Sequence, residues 1–388
     1  MNEVERKEKI TKAFVKYFGT EPTLWAQAPG RVDLMGSHTD YNEGFVLTMT
    51  IDRNIWIAFR PHDDRQIHVH SVDMGTGAAF SLDDISHDAV TPWTNYVRGV
   101  AKILQAEGYV LQGFDGLIDS TVPTSSGLSS SAALEVATAT VFEMMADWDF
   151  DPLQKALLTQ RAENEFVGVN CGILDQFTSA NGRAGQVLVL DCRDLSSKLS
   201  AIHPDISVII CDTQAKRELT GSEYSERRAQ CEEGVAILSG FYPNIKMLRD
   251  VSIEQLETHR DALSDVVFRR SYFIIEESAR VIALAAALTV KDYEQIHKLT
   301  EASYIGARDL YEIGVPEMEA MYQAMVSAPG VIGARQAGAG FGGCMVAIIE
   351  RDAIEDFANY VKKHYTESTG VVPKIYSVNA VAGAGSLK

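Results

Sequence analysis

The sequence has little cysteine, and its cysteines do not form a pattern. Five occur in 388 residues, an odd number without a CxxC pair. They are Cys171, Cys192, Cys211, Cys231 and Cys344. This usage excludes a disulfide framework and a zinc knuckle, and it is typical of reduced thiols in a cytoplasmic protein.

Long apolar runs and an excess of positive charge are also missing. No run reaches the length of a membrane span, and the start MNEVERKEKI lacks the apolar core of a secretory signal. The 35 basic residues are outnumbered by 53 acidic ones, giving a net charge of −18. We therefore expect neither nucleic acid nor a membrane as partner, and any bound polyphosphate needs local donors and a cation.

The chain is long for one hydrophobic core, so we expect two lobes. The polar stretch RDLSSK and the following His203 and Pro204 suggest a boundary near residues 195–205. The prediction is an N-terminal lobe over residues 1–200 and a C-terminal lobe over residues 201–388, whose last strand returns toward the first lobe.

The most informative stretch is VPTSSGLSSSAALEVA, residues 122–137. It follows a predicted strand, holds five serines and one glycine in residues 125–131, and continues into a predicted helix. Unpaired N–H groups and the dipole at a helix start attract anions, and serine hydroxyls add donors. The alternative is an ordinary serine-capped helix.

A second polar segment, RVDLMGSHTDYNEG, spans residues 31–44. Loops with this many functional groups are often binding loops, although a solvated surface turn has a similar composition. The functional side chains concentrated here are Arg31, Asp33, Ser37, His38, Thr39, Asp40 and Tyr41.

Two carboxylates and two aromatic residues complete the candidates. Glu163 lies near the end of a helix predicted over residues 151–168, and Asp175 follows in the apolar segment GVNCGILDQ. A carboxylate there is either functional or a helix cap. Trp93 and Tyr96 open a helix predicted over residues 92–105 and either fill the core or stack on a base.

Two further patterns give only weak indications of a function. His68 and His70 share one face of a predicted strand, and a solvated face is favoured because no third metal ligand is spaced nearby. Gly338, Gly340 and Gly343 satisfy GxGxxG, but a strand-like CMVAII follows instead of a helix. This predicts a closely packed glycine loop and disfavours a nicotinamide oxidoreductase.

Taken together, an anion loop, two carboxylates, a polar loop with arginine, histidine and aspartate, and a glycine-rich loop are what phosphoryl transfer requires. Three segments in the expected order resemble the galactokinase family within the GHMP small-molecule kinases. They are APGRVDLMGSHTDYNEG (28–44), VPTSSGLSSSAALEVAT (122–138) and GAGFGGC (338–344). The segments WTNYVRGV, AENEFVG, CGILDQ and GSEYSERRAQCE between them also resemble this family.

The resemblance implies an α+β protein with two lobes, a ribosomal protein S5-like N-terminal lobe and a GHMP C-terminal lobe, with the active site between them. It implies ATP-dependent phosphorylation of the anomeric hydroxyl of a galactose-configured sugar by a monomer, or at most a weak dimer. Asp175 would be the base or orienting carboxylate, and Arg31 would stabilise the transition state. Mg²⁺ would be held by Ser131 and Glu163.

The other implied contacts fall into two groups. The sugar would contact Arg31, Ser37, His38, Thr39, Asp40, Gly172, Asp175 and Tyr224. ATP would contact Trp93, Tyr96, Ser125, Ser126, Gly127, Leu128, Ser129, Ser130 and Ser131.

The sequence departs from the family pattern at several positions. Ser37 stands where the family has a glutamate that resembles a ligand for the C6 hydroxyl of the sugar, and Asp33 replaces an asparagine. Ser125 and Ala337 replace a glycine and a threonine. The change at Ser37 leaves galacturonate or L-arabinose as alternative substrates. A non-catalytic galactose and ATP sensor is a further alternative, disfavoured by the intact Arg31, Glu163 and Asp175.

Overall fold

The computed structural model describes residues 2–123, 127–215 and 221–387. The helices of these parts are α1 Glu3–Phe18, α2 Thr94–Ala106, α3 Ser130–Ala146, α4 Pro152–Arg161, α5 Leu174–Asn181, α6 Gly221–Ser239, α7 Ile253–Thr258, α8 Asp265–Val290, α9 Tyr293–Ile305, α10 Pro316–Val326 and α11 Ile354–Thr369. The strands are β1 Leu24–Met35, β2 Phe45–His62, β3 Gln66–Ser71, β4 Thr76–Ser81, β5 Gly113–Ser120, β6 Gln186–Asp191, β7 Ser197–Ala201, β8 Ile206–Asp212, β9 Val331–Gln336, β10 Cys344–Glu350, β11 Lys374–Val378 and β12 Gly385–Ser386.

The first sheet is built around the long strand β2. Its strand order is β12-β1-β2-β5-β3-β4, and β6 pairs with the start of β2 and with β7. The final short strand β12 pairs antiparallel with β1, so the end of the chain lies on this sheet. Helix α3 packs on β1 and β2. Most of α3 is buried, from Ala132 to Phe142, because this stretch is apolar around the helix except at Glu135, Thr138 and Thr140.

The second sheet is antiparallel and has the order β11-β8-β10-β9. Strand β10 is buried along almost all its length, which explains its unbroken apolar sequence CMVAII. Helices α10 and α11 cover one face through Met318, Met321, Phe357 and Val361, which belong to one apolar cluster. Within the described ranges, no helix is long and apolar enough to cross a membrane.

Two helix predictions differ in detail from the structure. The helix predicted over residues 151–168 begins with Asp151 as N-cap but ends as α4 at Arg161. A π-helical turn, Ala162–Val167, follows and carries Glu163 inward. Helix α2 begins at Thr94, two residues after the predicted start at Pro92. The glycine loop after β9 leads into strand β10, which confirms that it is not a dinucleotide-binding turn.

Candidate active site

A cavity of about 250 Å³ lies where the polar loop after β1, the start of α5 and the glycine loop after β9 meet. An adjoining cavity of about 260 Å³ shares several of its walls. The predicted sugar-site residues that line the first cavity are Arg31, Ser37, His38, Asp40, Gly172, Asp175 and Tyr224. The fold therefore brings together residues that are up to 193 positions apart, from Arg31 to Tyr224.

Arg31 is the central cation of this cavity. Its Nη2 lies 2.6 Å from Asp175 Oδ1, and its Nε lies 3.0 Å from Asp33 Oδ1. Its Nη1 donates to the carbonyl of Gly127 at 2.7 Å. Burial alone would lower the pKa of Arg31, but the charges of Asp175 and Asp33 outweigh it and raise that pKa. A permanently charged donor thus joins the α5 carboxylate to the serine loop.

Ser129, a predicted ATP contact, has a side-chain partner within the protein. Its hydroxyl donates to Asp175 Oδ2, so Asp175 receives a donor on each carboxylate oxygen. Ser129 has a left-handed backbone conformation with φ 59°, immediately before helix α3 begins at Ser130. This conformation aims its side chain toward Asp175 instead of capping the helix, as a serine before a helix normally would.

Asp40 is the second carboxylate of the cavity. Burial raises its pKa to about 6, and the charges of Asp33 and Asp175 act in the same direction. Gly172 is packed against it, since a Cβ at this position would lie only 2.5 Å from Asp40 Oδ2. The ring of Tyr224 forms another part of the wall, 5.3 Å from the ring of His38. A buried carboxylate beside aromatic rings suits a polyol ligand.

His38 lines the cavity, but both of its ring nitrogens are already bonded. The carbonyl of Ala339 can only accept, so Nε2 carries the proton and donates across 2.9 Å. Nδ1 is then the acceptor for the hydroxyl of Tyr41, which in turn accepts from Tyr311. Burial lowers the pKa of His38 to about 4, which keeps the ring neutral at pH 7. His38 therefore anchors the polar loop to the glycine loop.

Thr39, which is predicted to contact the sugar, is not among the residues that line the cavity. It is completely buried. Its hydroxyl lies 2.7 Å from the carbonyl oxygen of Gly36 and 2.6 Å from that of Phe45. Thr39 thus fixes the turn of the polar loop.

Ser37 lies over a buried ion pair that the sequence did not reveal. Its hydroxyl donates to the carbonyl of Gly338 at 3.0 Å and accepts from Arg335 Nη2 at 2.8 Å. Arg335 Nη2 also lies 3.0 Å from Glu277 Oε1, which accepts from the backbone of Gly36. Burial alone would raise the pKa of Glu277, but the charges of Arg335 and Arg280 outweigh it and lower that pKa.

Glu163 and Ser131, the predicted metal ligands, are hydrogen-bonded neighbours. Gln176 Nε2 donates to Glu163 Oε2 at 2.6 Å and to Glu135 Oε2 at 3.0 Å. Burial raises the pKa of both Glu163 and Glu135. Glu135 Oε1 is buried without a hydrogen-bond partner among the described residues. Two buried carboxylates and a hydroxyl are hard oxygen groups that suit Mg²⁺.

The predicted ATP residues are only partly described. Ser125 and Ser126 lie outside the described residues. Gly127 has a positive φ of 79°, and Ser130 and Ser131 form the first turn of α3. The side chain of Leu128 is buried in the core, while its carbonyl accepts from the backbone N–H of Arg31 at 3.2 Å.

Of the two predicted adenine-site aromatics, Tyr96 lies closer to the other site residues. Burial and the nearby charge of Glu163 raise the pKa of its phenol. Trp93 is partly exposed and donates from Nε1 to the hydroxyl of Thr76 at 3.1 Å. The two residues are one helical turn apart at the start of α2.

Sequence reasoning missed four residues that support the site: Glu135, Gln176, Glu277 and Arg335. Glu135 and Glu277 are acidic residues within otherwise apolar faces of α3 and α8. A charge at a buried helix position is a signal that could have identified them.

Comparison with known proteins gives three family matches in the same order along the chain. The galactokinase galactose-binding signature matches residues 12–61. The GHMP kinase N-terminal domain matches residues 95–183, and the GHMP kinase C-terminal domain matches residues 283–367.

Curated relatives cover almost the whole chain. A galactokinase of Roseiflexus sp. (strain RS-1) is 40% identical over 377 residues, which are 97% of this chain and 96% of that protein. A galactokinase of Chloroflexus aggregans is 42% identical over 376 residues, with the same coverage.

Solved structures of two kinases are similar in fold to this chain. The galactokinase of Lactococcus lactis in complex with galactose superimposes with a TM-score of 0.92 at 30% identity, covering 98% of this chain and 99% of that chain. The mevalonate kinase of Methanococcus jannaschii has a TM-score of 0.63 at 17% identity, covering 92% of this chain and 98% of that chain, which is a likeness of fold.

Proposed function

The chain belongs to the galactokinase family of the GHMP kinases, and on this basis we propose how its cavity phosphorylates galactose with ATP. The family, the two-lobed GHMP kinase fold and the kinase activity predicted from the sequence are confirmed by the galactokinase relatives and the Lactococcus lactis structure. The reacting groups are proposed to be the anomeric hydroxyl of the sugar and the γ-phosphoryl group of ATP.

The observation that carries this proposal is the double contact of Arg31. One guanidinium binds both Asp175 and the carbonyl of Gly127 in the serine loop. Phosphoryl transfer depends mainly on positioning the acceptor hydroxyl and on stabilising charge as it develops. A fixed cation between the acceptor-side carboxylate and the proposed phosphate loop serves both requirements.

Asp175 is proposed to accept the hydrogen bond, or the proton, of the anomeric hydroxyl. Arg31 and Ser129 hold one carboxylate oxygen each, and each oxygen keeps a lone pair for the sugar. Asp40 is proposed to accept from other sugar hydroxyls, and Tyr224 and the backbone at Gly172 form further parts of the wall. His38 and Thr39 would support the loop that carries Asp40.

The serine loop and the start of α3 are proposed to bind the ATP phosphates. Helix α3 is 17 residues long, and its first N–H groups have no partner within the helix. Ser131 and Glu163 would hold Mg²⁺, since their oxygens match its preference for hard ligands. When bound, Mg²⁺ neutralises part of the charge on the phosphates. Trp93 and Tyr96 are proposed to border the adenine.

The charges around the cavity favour galactose over galacturonate. Asp33, Asp40 and Asp175 line it, and a carboxylate at C6 would add to this negative charge. Arg335, beneath Ser37, is paired with Glu277 and offers no free charge to a substrate carboxylate. Ser37 is thus best explained as a tolerated change, and the comparisons favour neither L-arabinose nor a non-catalytic sensor.

The direct test is ATP consumption with galactose, galacturonate, L-arabinose and glucose, followed by NMR of the product. We expect turnover with galactose and phosphorus coupled to the anomeric proton. Methyl galactoside, whose anomeric oxygen is blocked, is the matched control and should give no turnover. Preferred turnover with galacturonate, or phosphate on another carbon, would contradict the proposal. The cytoplasmic location and the monomeric state stay predictions.

A further inference from the structure

A group of side chains of metal-ligating type lies on the first sheet, and none of its members lines the cavity. It consists of His62 at the end of β2, His68 on β3 and Asp115 on β5. Strand β5 lies between the other two, and the register places His68 opposite Asp115 and His62 opposite Gly113. One ligand atom from each of the three side chains lies within 4.8 Å of the other two.

The distances bring both histidines to the same carboxylate oxygen. His68 Nδ1 lies 2.8 Å from Asp115 Oδ1, and His62 Nε2 lies 3.7 Å from that oxygen. The other nitrogen of His62, Nδ1, lies 2.8 Å from Asp64 Oδ1. A carboxylate behind the outer nitrogen of a histidine is the usual support of a metal-bound imidazole.

The position of His62 depends on a glycine. A Cβ at Gly113 would lie 2.8 Å from His62 Cε1 and 2.2 Å from the carbonyl oxygen of Gln66. Any other residue would therefore force the ring or the neighbouring backbone to move. Both ring nitrogens of His62 are sheltered from solvent, and neither makes a well-aligned hydrogen bond within the described parts of the chain. Nε2, at 3.7 Å from Asp115 Oδ1, is thus a buried nitrogen without a hydrogen bond to any described residue, on the side where His68 and Asp115 lie.

We propose that His62, His68 and Asp115 form a site for a divalent transition metal of the Zn²⁺ class. Two imidazoles and one carboxylate are ligands that Zn²⁺ prefers, whereas Mg²⁺ prefers oxygen alone. Three protein ligands leave one position for water. The ion would join β2, β5 and β3 and stabilise this part of the sheet.

Arg60 and His70 are further charged or titratable neighbours of this cluster. Arg60 Nη2 lies 3.6 Å from Asp115 Oδ2, so the guanidinium is on the oxygen that faces away from the histidines. Its side chain is 35% exposed, and solvent weakens its repulsion of a cation. His70, which shares a strand face with His68, stacks on Tyr17 at 3.7 Å and takes no part. The two ligands that join His68 come from strands β2 and β5, and the spacing of residues along the sequence does not show this.

The test is a titration of chelator-treated, full-length protein with Zn²⁺ by calorimetry, and with Co²⁺ by visible absorption. His62→Gln and His68→Gln each remove one ligand and should weaken binding at this site by at least about tenfold. His297→Gln is the matched control, because His297 is exposed and lies outside the cluster. Glu163→Gln is the second control, because it removes a carboxylate of the active site.

The proposal predicts one Zn²⁺ site that is present in both controls and lost in both cluster variants. Added Zn²⁺ should raise the thermal unfolding midpoint of wild type but not of the cluster variants. Circular dichroism of each variant shows whether it is folded. Because two different histidines are replaced, the test still gives a result if one of the two variants fails to fold. Wild type without binding, equal binding in wild type and the cluster variants, or loss only in Glu163→Gln would each overturn the proposal.

Discussion

Arg31 donates to Asp175 and to the backbone carbonyl of Gly127, so a single guanidinium connects the acceptor side of the cavity to the serine loop. The side chain is almost fully buried, and its charge is balanced by Asp175 and Asp33. A buried guanidinium held between two carboxylates cannot change rotamer without leaving one of them without its counter-charge. The orientation of Asp175 is therefore coupled to the conformation of the serine loop.

Galactose binding should depend on pH through Asp40. Burial raises the pKa of this carboxyl to about 6, and the ionised form is the better acceptor for sugar hydroxyls. Binding should therefore strengthen as pH rises through about 6 and weaken by up to about tenfold per pH unit below it. Calorimetry between about pH 5 and pH 8 measures this, and Asp40→Asn should remove the step. The same step in both proteins would assign it to another group.

Replacing Gly172 by alanine should weaken galactose binding without affecting ATP. The new Cβ would lie 2.5 Å from Asp40 Oδ2 and must displace that carboxylate. Because small displacements of positioning groups are costly, we expect a 10- to 100-fold (order-of-magnitude) rise in the KM of galactose. Gly314→Ala is the matched control, since its Cβ would meet nothing closer than 3.6 Å. A similar loss in both variants would indicate a general effect of removing glycine.

Ser129→Ala separates two roles for this hydroxyl. If Ser129 positions Asp175, removing its hydrogen bond to the carboxylate should lower kcat by about 10- to 100-fold. The KM of ATP should then change little. Steady-state kinetics with each substrate varied in turn distinguishes the outcomes. A raised KM of ATP with unchanged kcat would instead support the phosphate contact predicted from the sequence.

Glu277→Gln should destabilise the protein and loosen the polar loop. The substitution leaves Arg335 without its buried counter-charge and weakens the acceptor for the backbone of Gly36. Removing one partner of a buried ion pair costs about 3 kcal/mol or more of unfolding free energy. The neighbouring Glu276→Gln is the control, since that side chain is 39% exposed and its loss should cost within about 0.5 kcal/mol. Equal denaturation midpoints in urea would contradict the assigned role.

The sequence predicted which segments form the site better than it predicted the contacts of each residue within them. The polar loop, the serine loop, Glu163 and Asp175 were identifiable because their polar residues stand out from apolar surroundings. The partner of Ser129 was not, because it depends on a left-handed backbone angle at the start of α3. The inward position of Glu163 likewise depends on a π-helical turn that propensity does not indicate.

Long-range contacts account for most of the remaining differences. Glu277 accepts from Gly36 across 241 residues, and Arg335 donates to Ser37 across 298 residues. Neither contact leaves a local pattern in the sequence. His62 and Asp115 meet His68 only because β5 lies between β2 and β3. Sheet order, which sets these neighbours, follows from how the whole core packs.

The most direct test of the account is a paired measurement of turnover and galactose affinity in Asp175→Asn. Asparagine keeps the shape of the side chain but removes the charge that faces Arg31 and the anomeric hydroxyl. We expect kcat to fall by about 10²- to 10⁴-fold, while the galactose Kd measured by calorimetry changes by less than about tenfold. Undiminished turnover would contradict the role of Asp175, and with it the proposed position of the reacting hydroxyl beside Arg31.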